Sequence, residues 1–108
     1  MEIAVVVGGL GAIKELMPAV EILKSGDHLV AWIVDKESRA RDVLKQANIP
    51  ISDCFPERDV SKFDIVVVGT SATAVRAQIE WTKAAQRQRV PVLWYEDLWG
   101  TGERTVTR

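Results

Sequence analysis

One cysteine and one histidine are present in 108 residues. Cys54 has no second cysteine to form an internal disulfide, and together with His28 it falls short of the four ligands of a structural zinc site. No metal and no other cofactor is expected. Positive charge is not in surplus: Lys and Arg total 14 against 15 Asp and Glu, a formal net charge of -1. A general nucleic-acid binder carries a basic excess that neutralises phosphates, so that class is set aside. Long hydrophobic runs are missing too. The first apolar run, Ile3 to Val7, is five residues, whereas a signal-peptide core takes roughly 7–15 and a membrane helix about 20. The expectation is a cytoplasmic protein with a reduced thiol and no membrane span. What is present is 47% hydrophobic and 27% charged, a balance that excludes wholesale disorder and gives one core in one domain over 1–108.

Strand-sized apolar runs alternate with amphipathic stretches. Ile3–Val7 is β-branched and ends in Gly8-Gly9-Leu10-Gly11; continuous apolar runs suit strands covered on both faces. Ile13 to Lys24 has helical spacing, which tolerates Pro18 only in a first turn, and Gly26 is the expected left-handed residue after it. His28–Val34 reads as the second strand, closed by Asp35. Ser38 to Asn48 places Ala40, Val43, Leu44 and Ala47 on one helical stripe. Ile51–Phe55 reads as a short third strand and Phe63–Val68 as a fourth. Thr73 to Arg89 is a long helix with Ala74, Ala77, Trp81, Ala84 and Ala85 toward the sheet. Val90–Tyr95 is a fifth strand, and 95–108 an irregular tail.

Such alternation predicts an α/β fold, a five-stranded parallel three-layer α/β/α sandwich with strand order 3-2-1-4-5. Only seven residues separate Phe55 from Phe63, so the third crossover is expected to be mostly extended, with one turn near Asp59–Lys62.

In open sheets of this kind ligands bind beyond the carboxyl ends of the strands, where the chain order reverses. Two glycine-containing loops are expected to meet there, Gly8-Gly9-Leu10-Gly11 and Gly69-Thr70-Ser71. Free amides at a helix N-terminus suit a phosphate or carboxylate, and the hydroxyls of Thr70 and Ser71 add donors and acceptors. Glycine at such a turn also serves tight packing or a positive φ, and Thr70 or Ser71 also fits an N-cap. Asp35 stands where a dinucleotide-binding protein holds its ribose, yet the third small residue of the G-x-G-x-x-G fingerprint is missing; Asp35 also fits as a cap for the helix near Ser38. Cys54 lacks a triad partner and reads as core. His28 lies at the far end of the sheet, on the surface. Asp97 leaves the fifth strand at the functional edge.

Four tryptophans are many for this length. Trp81 fits the core stripe and Trp32 a half-buried strand position. Trp94 and Trp99 flank the end of the fifth strand, where no closing helix is evident. An apolar edge invites docking, so these two mark an expected interface with a second copy or another domain.

The run Val5-Val6-Val7-Gly8-Gly9-Leu10-Gly11, a helix with Pro18, and Ser25-Gly26-Asp27-His28-Leu29-Val30 resemble the N-terminal Rossmann-like half of GT-B glycosyltransferases and of UDP-N-acetylglucosamine 2-epimerase-like proteins. Phe63-Asp64-Ile65-Val66-Val67-Val68-Gly69-Thr70-Ser71 is similar to their fourth-strand loop. Arg89 to Trp99 followed by Glu103-Arg104 is similar to the stretch after their fifth strand. The histidine that many of these enzymes carry after the glycines is missing, and Gly11 to Pro18 is a longer spacing than theirs.

The resemblance implies an acceptor-side domain that binds a sugar or nucleotide-sugar ligand. In that family the chemistry occurs in a cleft against a second, donor-binding domain, so this chain is expected to be non-catalytic alone and to work as a homodimer or with that second domain or chain. Two other readings stand beside it: a free-standing nucleotide or dinucleotide module with Asp35 on a ribose, and an interaction module whose loops bind nothing.

Overall fold

The computed structural model describes residues 1–35, 38–69 and 76–95. In chain order these form β1 (Glu2–Val7), α1 (Leu10–Ser25), β2 (Leu29–Val34), α2 (Ala40–Gln46), α3 (Pro56–Asp59), a 3-10 turn at Val60–Lys62, β3 (Ile65–Gly69), α4 (Arg76–Arg87) and β4 (Val92–Tyr95). The strands make one all-parallel sheet in the order β2-β1-β3-β4.

Side chains alternate across this sheet as the pleat demands. Ile3, Val5 and Val7 of β1 pack with Ala12, Ile13, Leu16 and Val20 of α1 and with Leu44 of α2. Ala4 and Val6 point the other way, into a cluster with Val66, Val68, Val60 and Trp81, Ala84 and Ala85 of α4. Helices on both faces are the reason β1 carries an unbroken apolar run: both sets of its side chains leave water. At the amino end, the Glu2 N–H donates to Asp64 Oδ2 at 2.7 Å and the Asp64 N–H donates to the Glu2 carbonyl at 2.8 Å.

The expected third strand does not form, so the described sheet has four strands and not five in the order 3-2-1-4-5. Ile51 makes one isolated parallel bridge to Trp32, with the Ser52 N–H on the Trp32 carbonyl at 2.8 Å. At the other end of the segment the Phe55 N–H turns to Asp59 Oδ2 at 2.7 Å, and Pro56 opens α3. The crossover after it is helical rather than extended. With no strand at 52–55, those residues share the span, and Pro56–Asp59 and Val60–Lys62 coil into α3 and the 3-10 turn.

Helix α1 also begins earlier than the sequence suggests, at Leu10, so Pro18 is in its interior. Pro18 and Lys14, whose carbonyl loses its helical partner, are both on the exposed side, where solvent satisfies the orphan. Helix α2 is shorter than the stripe: Ala40 and Leu44 are buried while Val43 and Ala47 are exposed.

Three helices end in the same device. Asp27, Asn48 and Arg89 have φ of 64, 59 and 58°. The next residue in each case, His28, Ile49 or Val90, donates five residues back to Leu23, Leu44 or Ala85. These are Schellman motifs built on non-glycine residues. Gly26, at φ −94°, is not the left-handed residue; Asp27 is.

Candidate functional site

All four strands end flush. Val34 pairs with Val7, Val7 with Gly69, and Gly69 with Tyr95, one row across the sheet. The chain order reverses between β1 and β3, so Gly8 leaves the sheet beside Gly69. Gly9 is the N-cap of α1 in extended backbone, φ −143° and ψ 165°, with no side-chain cap and no acidic residue in the first turn. Gly11 is the exposed second residue of that helix. The first amides of a 16-residue helix thus stand at the switch point with no side-chain cap among the described residues.

Gly69 has a packing role. A Cβ placed on it would stand 2.9 Å from Ala12 Cβ, 3.1 Å from Leu16 Cδ1 and 3.2 Å from Val7 Cγ1. The close approach of α1 to the end of β3 requires a residue without a side chain. Thr70, Ser71, Asp97 and Trp99, named from the sequence, lie outside the described residues. Trp94 is half-buried and packs against the α4 cluster.

Asp35 is only 4% exposed. Its Oδ2 accepts from the Ala77 N–H of α4 at 3.0 Å, and its own N–H donates to the Val7 carbonyl at 3.2 Å. It therefore ties the end of β2 to α4 and does not reach outward as a ribose acceptor does. At the start of α2 the Ser38 Oγ accepts from the Ala40 N–H at 3.0 Å.

Beyond the carboxyl end of β2 lies a cavity of about 630 Å³, within the range of small-molecule sites. Its apolar wall is Ile33, Phe55, Pro56 and Trp81; Arg41, Asp53, Arg76 and Glu80 supply charge. Arg41 Nη1 donates to the Val34 carbonyl at 3.0 Å, and Nη2 reaches Asp53 Oδ1 at 3.4 Å. Cys54 also lines it. Burial, and then the charge of Asp59, pushes the Cys54 thiol up, so it is protonated at neutral pH and a poor nucleophile.

Asp59, 2% exposed, is the other buried acid near this cavity. Arg58 donates to both of its oxygens, the Phe55 N–H donates at 2.7 Å, and Lys62 Nζ stands at 3.1 Å. Arg58 first, then the Phe55 amide, hold its carboxyl well below the usual carboxylate range. It ties the start of α3 together. His28 precedes the amino end of β2 and is half-buried against Gly26, with Nδ1 buried and unpartnered among the described residues. Trp32 is fully buried, not half-buried, at 2% exposed.

Arg41 and the cavity escaped the sequence reading. The available signal was a cation in the first turn of a helix, where the dipole disfavours it; such a residue is held there by something else, here the end of β2. Among the described residues no group of three or more His, Cys, Asp or Glu is placed to hold a metal ion, and no helix is long and apolar enough to cross a membrane. Comparison with family models, with curated proteins and with solved structures finds no match to this chain.

Proposed function

We propose that this chain is a ligand-binding α/β domain of the acceptor-side GT-B type. It takes a sugar or nucleotide-sugar ligand at the carboxyl edge of its sheet and does no chemistry alone. The observation that carries this reading is the start of α1. Among the described residues its amides carry no side-chain cap or first-turn acid, and they stand where the flush strand ends reverse order, the place an anionic group is held in such sheets. The dinucleotide alternative is weakened by Asp35, whose carboxylate is buried on α4. Among the described residues the commitment of Asp35, the protonated Cys54 and the remoteness of His28 support catalytic silence.

The partner in this reading is a second copy or a donor-binding domain covering β4. Leu93 there is 56% exposed beside the partly buried Val67 and Tyr95 of the same face, and Trp94 is at the same edge. Thermal unfolding of the whole chain with UDP-sugars and with NAD tests the ligand class. A ligand at 100 times its dissociation constant stabilises by about 2.7 kcal/mol. UDP-sugars are expected to raise the transition and NAD to leave it. Stabilisation by NAD alone, or by neither, overturns the proposal.

A further inference from the structure

We infer that the cavity at the end of β2 is a binding site for a small organic anion with a flat apolar body, anchored by Arg41. This does not depend on the glycine loops, which contribute no residue to the described lining. Charge in the cavity is unevenly committed. Asp35 is spent on the Ala77 amide, and Glu80 is paired with Arg76 at 3.0 Å, one turn apart on α4. Arg41 is different. Its side chain is 20% exposed and held by the Val34 carbonyl, while its acidic partner Asp53 is 84% exposed and 3.4 Å away.

A guanidinium has five N–H donors, and two of those on Arg41 are used by these contacts. Three therefore remain, on a group already fixed in place, which is what bidentate recognition of a carboxylate or phosphate needs. An exposed partner such as Asp53 is worth little and is readily displaced by a ligand anion. The rest of the wall selects the body. Trp81 stands edge-on to Phe63, with ring centroids 6.0 Å apart, and is fixed in the core. Phe55 is 54% exposed, with the Arg58 guanidinium 4.8 Å from its ring centre. Phe55 and the partly exposed Pro56 offer apolar surface beside the cation, over a buried floor of Trp81 and Ile33.

The probe pair is 2-naphthoate and its uncharged analogue 2-naphthamide, titrated into the isotope-labelled full chain and followed by amide and indole NMR shifts. 2-Naphthoate is expected to shift Ser52, Cys54, Ala77 and the Trp81 indole saturably. The amide is expected to bind at least about tenfold more weakly, the usual effect of losing a charge-assisted hydrogen bond. Asp53→Asn, at an exposed site that does not threaten folding, is expected to tighten naphthoate binding by removing the competing carboxylate, a result a merely structural Arg41 does not give. Arg41→Gln is expected to abolish it. Equal binding of acid and amide, saturable shifts confined to other residues, no saturable shift at all, or unchanged or weaker binding in Asp53→Asn overturns the inference.

Discussion

The carboxylate of Asp35 and the backbone amide of Ala77 are hydrogen-bonded at 3.0 Å across 42 positions of sequence. The bond fastens the carboxyl end of β2 to the second residue of α4. Buried acceptors on a helix's first amides are strong restraints, because without them the amide is left without a partner away from water. Asp35→Ala is expected to cost about 1–3 kcal/mol in urea unfolding, and Asp35→Asn less, since the amide oxygen still accepts. An Asp35→Ala midpoint equal to the parent's contradicts this role.

Gly69 and Ala12 make a second testable pair. With a Cβ on residue 69 placed 2.9 Å from Ala12 Cβ, Gly69→Ala is expected to destabilise by about 1–3 kcal/mol through overpacking. Adding Ala12→Gly removes the nearest clash, so the two changes together are expected to cost less than their sum despite the helix penalty of glycine. A strictly additive double-mutant cycle contradicts the contact.

Much of the fold was legible because burial leaves its period in the residues. Ile3–Val7 reads as a doubly covered strand, and Trp81, Ala84 and Ala85 as the inner face of α4, directly from spacing. The composition of Ile51–Phe55 suits a strand, but only Ile51 pairs, while the Phe55 amide is taken by Asp59 at the start of α3. Pro18 argues against a helix interior and so hides the start of α1 at Leu10; the exposure of Pro18 and Lys14 explains its tolerance. The flush ends that bring Gly8 beside Gly69 followed from the expected neighbouring of those two strands. The cavity did not, because Arg41, Asp53, Phe55 and Arg76 come together only through tertiary packing, and no local pattern announces them.

The left-handed residues predict a gain in stability. Arg89 holds φ at 58°, a conformation that costs a non-glycine residue roughly 1–2 kcal/mol. Part of that returns as the larger chain entropy of glycine when unfolded. Arg89→Gly is therefore expected to stabilise by about 0.5–1 kcal/mol, read as a higher thermal midpoint. A lower midpoint contradicts it.

Asp59 predicts acid sensitivity. Its carboxyl is held below the ordinary range in the folded chain, so the unfolded chain takes up the proton first. The stabilisation is complete above the unfolded-state value, about 3.9, and drains away as pH falls below it toward the folded-state value. Thermal melts from pH 7 down to 3 are expected to show a steeper acid loss in the parent than in Asp59→Asn, which starts lower at neutral pH. Parallel profiles contradict the assignment.

In the proposed function an anionic sugar ligand sits on the first amides of α1. Titration of the isotope-labelled chain with a UDP-sugar, followed by amide NMR, tests it most directly. Saturable shifts are expected to concentrate on Gly8, Gly9, Gly11 and Ala12. Gly11→Val, at an exposed helical position, is expected to weaken binding while leaving the thermal midpoint at or above that of the parent. Shifts that do not saturate, or that leave these four amides unmoved while others respond, contradict it.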